Sequence, residues 1–252
     1  MKALTCEDIT VRFGGVLACK NISLEVEKGQ VSGLIGANGA GKTTLFNVLT
    51  RFQEHESGHI YFNGESIDTK KPHDMASLGL VRTFQNINLF KDQTALNNIL
   101  IGAHHRLGNP LASMFSLPSA RRNEKKLYKR AHEIAEILHL EDYLDHIAAS
   151  LPYGLQKRVE LARALASDPE IVLLDEPVAG CNDEETNDLK ESIKRLNRDL
   201  GITFFLVEHD MSMVMDSCDY IYAINFGENL AQGTPSEIQN NPDVIKAYLG
   251  ED

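Results

Sequence analysis

Two textures of apolar residues alternate along the chain. The first 85 residues carry short stretches such as "ITVRF", "ISLEVEKGQ", "VSGLIG" and "HIYFNGE", separated by Gly and Asn turns. Such stretches predict strands. Past Gln85 the period changes. Leu127, Ala131, Ile134, Ala135 and Leu138 recur at helical spacing and predict a helix over 127–140. A second helix is expected from about Leu155, with Val159, Ala162 and Leu165 turned inward and Asp168-Pro169 as its stop. Strand texture then returns. "IVLLDE" and "ITFFLVE" are continuous apolar runs of strand length, the pattern of strands covered on both faces. Leu189, Ile193, Leu196 and Leu200 read as a helix between them, and strand–helix–strand order implies a parallel sheet.

The strongest chemical signal is "GANGAGKTT", which fits G-x-x-x-x-G-K-[ST] with Gly36, Gly41, Lys42 and Thr43. It follows a predicted strand and runs into a helix-like "TTLFNVLT", the context the motif requires. Glycines let backbone N–H groups curl around phosphate oxygens, and the helix start adds partial positive charge. Candidate nucleotide contacts are Gly36, Asn38, Gly39, Ala40, Gly41, Lys42, Thr43 and Thr44. Lys42 is expected at the β- and γ-phosphates and Thr43 as a ligand of Mg²⁺. The alternative is a Gly-rich turn without a ligand. "IVLLDE" supplies a second half. A carboxylate ending a buried strand needs an ionic neighbour. Asp175 is expected to hold Mg²⁺ through water and Glu176 to polarise an attacking water, a strand-end cap being the plainer reading. The expected fold class is therefore α/β: a P-loop NTPase core with a mostly parallel sheet, an N-terminal antiparallel β segment and an inserted α-helical subdomain. The expected boundaries are 1–85 and 169–252 for the core and 86–168 for the insertion.

Composition narrows the partners. The 252 residues are 42% hydrophobic and 24% charged, and the formal charge is −11. That acidity argues against broad nucleic-acid binding, which needs dense Lys and Arg. Cys6, Cys19, Cys181 and Cys218 form no C-x-x-C pair, so reduced, partly buried thiols are expected. No signal peptide is read at the start, and no apolar run approaches the roughly 20 residues of a spanning helix. A membrane role would be peripheral. The basic stretch 104–130 is either a solvated face or a patch near anionic headgroups or a membrane partner.

With these residues in hand, the chain resembles the ATP-binding cassette ATPases of membrane transporters over essentially its whole length. "LPYGLQKRVELARAL" (151–165) is similar to the family's signature segment, Gln85 in "RTFQ" to its switch glutamine, His209 in "VEHD" to its switch histidine and "AGCND" to its D-loop. Phe13 lies where the family stacks an aromatic on adenine. "RTFQNINLF", "YG" inside the signature and the tail "GTPSEIQNNPDVIKAYLGED" resemble the ATPase subunits of branched-chain amino-acid importers of the LivG type. The resemblance implies ATP and Mg²⁺ as cofactors, with Gln85 beside Thr43 and Asp175 at the metal. It implies Glu176, His209, Gln85 and Lys42 as catalytic residues. Each has a plainer alternative: His209 a satisfied core residue, Gln85 a loop amide, Phe13 core beside Val11.

The family closes the signature of one subunit over ATP held by another, so Tyr153 and Gly154 are expected on a neighbour's nucleotide. Here Pro152 stands in place of the usual Ser, and Leu155 in place of the last Gln. A lost hydrogen bond to a charged group is worth about 1.5–3 kcal/mol, but backbone N–H groups at the helix start remain as donors. Asn182 replaces an Asp common in D-loops. Expected partners are transmembrane permease subunits, a second ATP-binding subunit (identical or, as the resemblance favours, related) and indirectly a substrate-binding protein. The expected location is the cytoplasmic face of the membrane. Phe84, Asn86, Leu89 and Phe90 are the candidate permease contacts, with core packing as the alternative. Rival functions are a urea or amide importer ATPase, a soluble cassette acting on DNA or ribosomes, and a non-hydrolysing regulatory subunit.

Overall fold

The first strands, β1 (Lys2–Phe13) and β2 (Val16–Glu27), pair antiparallel around a tight turn in which Gly14 takes φ +57°. Their alternation puts Ile22, Leu24 and Val26 inside and leaves Ser23 and Glu25 outside. After β3 (Val31–Ile35) the phosphate loop leads into α1 (Lys42–Leu49). Then β4 (Ser57–Phe62) and β5 (Glu65–Ser66) return to the first sheet, whose order is β2-β1-β4-β5. The computed structural model describes residues 1–103 and 118–249.

A short α2 (Met75–Leu78) precedes the edge strand β6 (Leu80–Arg82). Among the described residues three α-helices follow: α3 (Ala95–Gly102), α4 (Pro118–Ile137) and α5 (Tyr153–Leu165). Thr94 caps α3 by accepting from the Asn97 amide. The chain continues through β7 (Ile171–Asp175), α6 (Asp183–Leu200), β8 (Thr203–Val207), α7 (Met211–Ser217), β9 (Tyr220–Asn225) and β10 (Glu228–Gly233). It closes with α8 (Pro235–Gln239) and α9 (Pro242–Leu249). Asn182 and Glu185 form a capping box at the start of α6, and Gly201 ends it in the left-handed region.

The second sheet has the order β10-β9-β3-β8-β7-β6. Its inner pairings β9·β3, β3·β8, β8·β7 and β7·β6 are parallel, and β10 is the antiparallel edge. All residues of β3, β7 and β8 are buried, as expected for a parallel sheet covered on both faces. Along β7, Val172 and Leu174 join one core with the apolar faces of α3–α6, while Ile171 and Leu173 join the other with β1, β2 and α1. The expected mixed α/β architecture is what the chain adopts.

Boundaries differ from the sequence reading in places. Helix α4 starts at Pro118 rather than 127, because "PSARRNEKK" carries no apolar period. It ends at Ile137, before His139 takes φ +53°. Helix α5 starts at Tyr153 and stops at Leu165, short of Asp168, which takes φ +59° before Pro169. Much of the basic stretch 104–130 lies outside the described residues. The four cysteines carry free thiols, with Cys6, Cys19 and Cys218 buried. Among the described residues no helix is long and apolar enough to cross a membrane.

Phe205 is fully buried at the centre of the second core, 5.1 Å from the ring of Phe46 and 6.4 Å from that of Tyr222. Phe205→Ala is expected to lower the unfolding free energy by about 3–5 kcal/mol, read as a shift of the urea midpoint without a change in slope.

Candidate functional site

The phosphate loop sits at the C-terminal end of β3, between β8 and β9, where ligands bind in open parallel sheets. Gly41 caps α1 in the left-handed region, at φ +102°, and a Cβ there would collide with the carbonyl oxygen of Ala18. No side chain caps α1, and no acidic residue lies in its first turn. The helix N-terminus is thus left with unpaired N–H groups and positive potential. Lys42 is 7% exposed, and its Nζ donates to the carbonyls of Gly36 (2.7 Å) and Ala37 (3.1 Å). Burial lowers its pKa from the ordinary lysine value, opposed by the negative charges of Glu176 and Asp175. Asn38 and Gly39 lie exposed at the loop tip, Ala40 is buried, and Thr43 and Thr44 on the first turn are exposed and half-buried. An uncapped helix start beside a confined ammonium, with glycine where a Cβ would clash, fits a polyphosphate.

Three of the candidate reactive residues meet at the end of β7. Gln85 Nε2 donates to Glu176 Oε2 at 2.7 Å. His209 Nδ1 lies 3.9 Å from the other carboxylate oxygen of Glu176, too far for a direct hydrogen bond. Glu176 itself takes φ +48°, a conformation that non-glycine residues adopt at a cost of about 1–3 kcal/mol and that clusters at functional sites. Its amide still bonds the carbonyl of Val207 at 2.9 Å, so the neighbouring strand fixes the bend.

Asp175 does not face this group alone. Its Oδ2 accepts from Arg82 Nη2 at 2.6 Å, and both side chains are almost fully buried. Arg82 Nη1 reaches Asn47 Oδ1 on α1 at 2.6 Å, and the guanidinium lies 5.7 Å from the Phe46 ring and 5.1 Å from that of Phe84. Glu208 is likewise fully buried. It accepts from the amides of Val178 (3.0 Å) and His209 (3.2 Å), so it pins the loop after Glu176 to the loop bearing His209. Burial pushes its pKa above the usual carboxylate range, opposed by those amides. Neither Arg82 nor Glu208 was singled out from sequence, though each lies inside a motif that was, "RTFQ" and "VEHD". An ionisable residue on an apolar strand next to a switch residue was the available signal.

Other candidates lie apart. Phe13 is half exposed at the end of β1, paired with exposed Val16, so it is not core. Its hairpin backs the phosphate loop, since Ala18 crowds Gly41 and Cys19 Sγ lies 3.8 Å from the Gly41 carbonyl. Tyr153 and Gly154 open α5 after Pro152, which occupies the cap position with φ −51° and ψ 152° and gives no side-chain cap. They pack against Gly180 and the carboxylate of Glu185. Of the four expected partner contacts, Leu89 is corrected: it is buried in the core with Ala95 and Ile99. Phe84 is half-buried, edge-on to Phe52, while Asn86 and Phe90 are exposed.

This geometry is that of a nucleotide-binding cassette, and the chain belongs to the ABC transporter family, which matches residues 19–179. A second family, described as branched-chain amino acid ATP-binding cassette transporter, matches residues 228–252. The chain is 47% identical over 249 residues to the high-affinity branched-chain amino acid transport ATP-binding protein BraF of Pseudomonas aeruginosa, covering 98% of each. It is 43% identical, again over 98% of each, to the corresponding protein LivG of Escherichia coli. Among solved structures it is similar to a nucleotide-free ATP-binding cassette from an ABC transporter, with TM-score 0.85, 35% identity and full coverage of both chains. It is also similar to a transporter cassette in its ADP conformation, with TM-score 0.86, 34% identity and full coverage of both. The protein is thus a nucleotide-binding ATPase chain of a transporter.

Arg82→Met leaves Asp175 buried without its counter-charge and is expected to lower stability by about 3–5 kcal/mol. Asp175→Asn added to Arg82→Met is expected to recover part of that loss. A double-mutant cycle by urea denaturation checks both, and strict additivity would contradict the pairing.

Proposed function

We propose that this chain hydrolyses ATP as one of the motor subunits of an importer for branched-chain amino acids. The convergence of Gln85 and His209 on Glu176, beside a phosphate loop with a confined lysine, is the observation that carries the reading. The choice of cargo rests on the BraF and LivG likeness and on the match at residues 228–252.

In the proposed reaction the phosphate loop amides and Lys42 hold the β- and γ-phosphoryl groups, and Phe13 lies under the adenine. Glu176 accepts a proton from a water whose oxygen bonds to the γ-phosphorus as the bond from phosphorus to the bridging oxygen breaks, releasing ADP and phosphate. Gln85 holds the Glu176 carboxylate, and His209 is positioned to donate to the γ-phosphoryl oxygens. Thr43, Asp175 and Gln85 offer only hard oxygen ligands, which fits Mg²⁺. When bound, that ion neutralises charge on the β- and γ-oxygens. The Arg82 contact uses Asp175 Oδ2, so Oδ1 is the oxygen that would serve the metal site.

Tyr153 and Gly154 act on the nucleotide of a second ATP-binding subunit, as do the amides that open α5. Residues 86–168 serve as the lobe that moves, and 1–85 with 169–252 as the lobe that holds nucleotide. A cavity of about 270 Å³ lies between them, with exposed Phe90 and Ile101 at its rim and Arg82, Glu160 and Arg163 lining it. An apolar rim over charged walls suits a helical segment of a permease, which would hold the chain at the cytoplasmic face of the membrane.

Glu176→Gln is expected to slow ATP hydrolysis by about 10²–10⁴-fold while ATP binding persists. Phosphate release and fluorescent-nucleotide titration measure the two separately, and a wild-type rate would remove Glu176 as the base. Pro152→Ser restores a hydroxyl next to the uncapped start of α5. If the missing donor limits turnover, the rate rises about tenfold or more; an unchanged rate would mean the backbone donors suffice.

A further inference from the structure

Lys157 lies on the second turn of α5, one turn past Tyr153, and is only 5% exposed. A buried ammonium ordinarily sits on a carboxylate, because desolvating an unpaired charge is costly. Lys157 does not. Its Nζ donates to the backbone carbonyl of Gln85 at 2.9 Å and approaches that of Glu176 at 3.5 Å, and the Tyr153 ring lies 5.8 Å away. Each of these partners belongs to a candidate reactive element. The first carbonyl belongs to the residue that holds the Glu176 carboxylate, the second to Glu176 itself, and the ring to the segment that meets the neighbouring subunit's nucleotide. Together with the Gln85–Glu176 hydrogen bond at 2.7 Å, Lys157 closes a three-cornered link between the segments that follow β6 and β7 and helix α5.

A side chain with three rotatable donors, held by two carbonyls, transmits displacement. A shift of the Gln85 backbone or of the strained bend at Glu176 must either break a hydrogen bond of a buried ammonium or pull α5 with it. The first is expensive at a buried charge, so the second is favoured. We propose that Lys157 is a positioning residue that makes the placement of Tyr153 and Gly154 depend on occupancy of the chain's own phosphate site. In a pair of cassettes this ties each nucleotide site to its neighbour, since Gln85 and Glu176 serve one site and the tip of α5 the other. The proposal rests on the composite-site reading above and names the residue that carries the dependence within one chain.

Hydrogen–deuterium exchange of the full chain, with and without a non-hydrolysable ATP analogue and Mg²⁺, tests it. In the wild type, nucleotide is expected to change exchange across residues 151–158. Lys157→Met keeps the stem but no donor. It is expected to bind the analogue within about threefold of wild type and to lose that response. Lys157→Arg, which keeps charge and donors, is expected to retain at least half of it. Should Lys157→Met not fold, Lys157→Leu, which also lacks a donor, takes its place under the same criteria. A full response in the neutral variant, or equal loss in the neutral and Arg variants, overturns the proposal; the latter assigns the effect to packing. A wild type that binds nucleotide without a response at 151–158 also overturns it, leaving the nucleotide site intact. A wild type that binds no nucleotide would reject the site reading itself.

Discussion

A carboxylate at the end of a buried parallel strand must be neutralised, and Arg82 does this for Asp175. In a medium of low effective dielectric the attraction is strong, but so is the cost of removing both ions from water. The arrangement persists because the guanidinium is shared. The same group bonds Asn47 on α1, approaches Thr50 at its end, and lies between the rings of Phe46 and Phe84. Its Nε is left buried without a hydrogen-bond partner, so charge and stacking hold the group rather than a complete set of donors. One cation therefore fixes three elements: the helix after the phosphate loop, the edge strand that delivers Gln85, and the strand beside it that delivers Glu176. The distance from Gln85 to Glu176 follows from that anchor.

The other half of the reaction geometry is built on a different logic. Helix α5 starts without a side-chain cap, and α1 starts the same way. Both leave amide donors unpaired at a helix N-terminus, which stabilises anions. In the composite site proposed above, the two ends within one chain serve different ligands. Tyr153 and Gly154 rest on Gly180 and Glu185, and the Glu185 carboxylate is occupied by the Asn182 amide at 3.0 Å. Asn182 is thus more than a substituted D-loop position. It is the cap of α6, and its capping box keeps a negative charge partly satisfied next to the tip of α5.

How far the chain could be read beforehand depended on the range of each interaction. Local signals were legible. The glycine spacing of 36–41, the apolar runs of β7 and β8, and the helical period of 127–138 depend on neighbours in sequence. Long-range pairings were not. Nothing near Arg82 in sequence announces Asp175, 93 residues away, and nothing near Gln85 announces Lys157, 72 residues away. Leu89 read as a partner contact because it is an apolar residue on the segment beside Gln85; only the packing of α3 shows where it goes. The start of α4 was hidden for the opposite reason, since its first residues have no apolar stripe to reveal a period.

The segment that matches the branched-chain amino acid family begins at β10, far from the phosphate loop in sequence, and the turn just before it is joined to that loop in space. In the β9–β10 turn the amide of Gly227 donates to the Ala40 carbonyl at 3.1 Å, and the Lys20 amide donates to the Gly227 carbonyl at 2.7 Å. Gly227 takes φ +78°, and a Cβ there would crowd Ala18, the same residue that excludes a side chain from Gly41. Beyond it, Leu230 and residues of α9 form one wall of a cleft whose other wall is the loop tip, Ala37 to Ala40. The turn that leads into this segment is thus bonded to the back of a phosphate loop whose own chemistry is common to many nucleotide-binding proteins. A change in the tail has a short mechanical route to the nucleotide: through one hairpin turn and two glycines that tolerate no side chain.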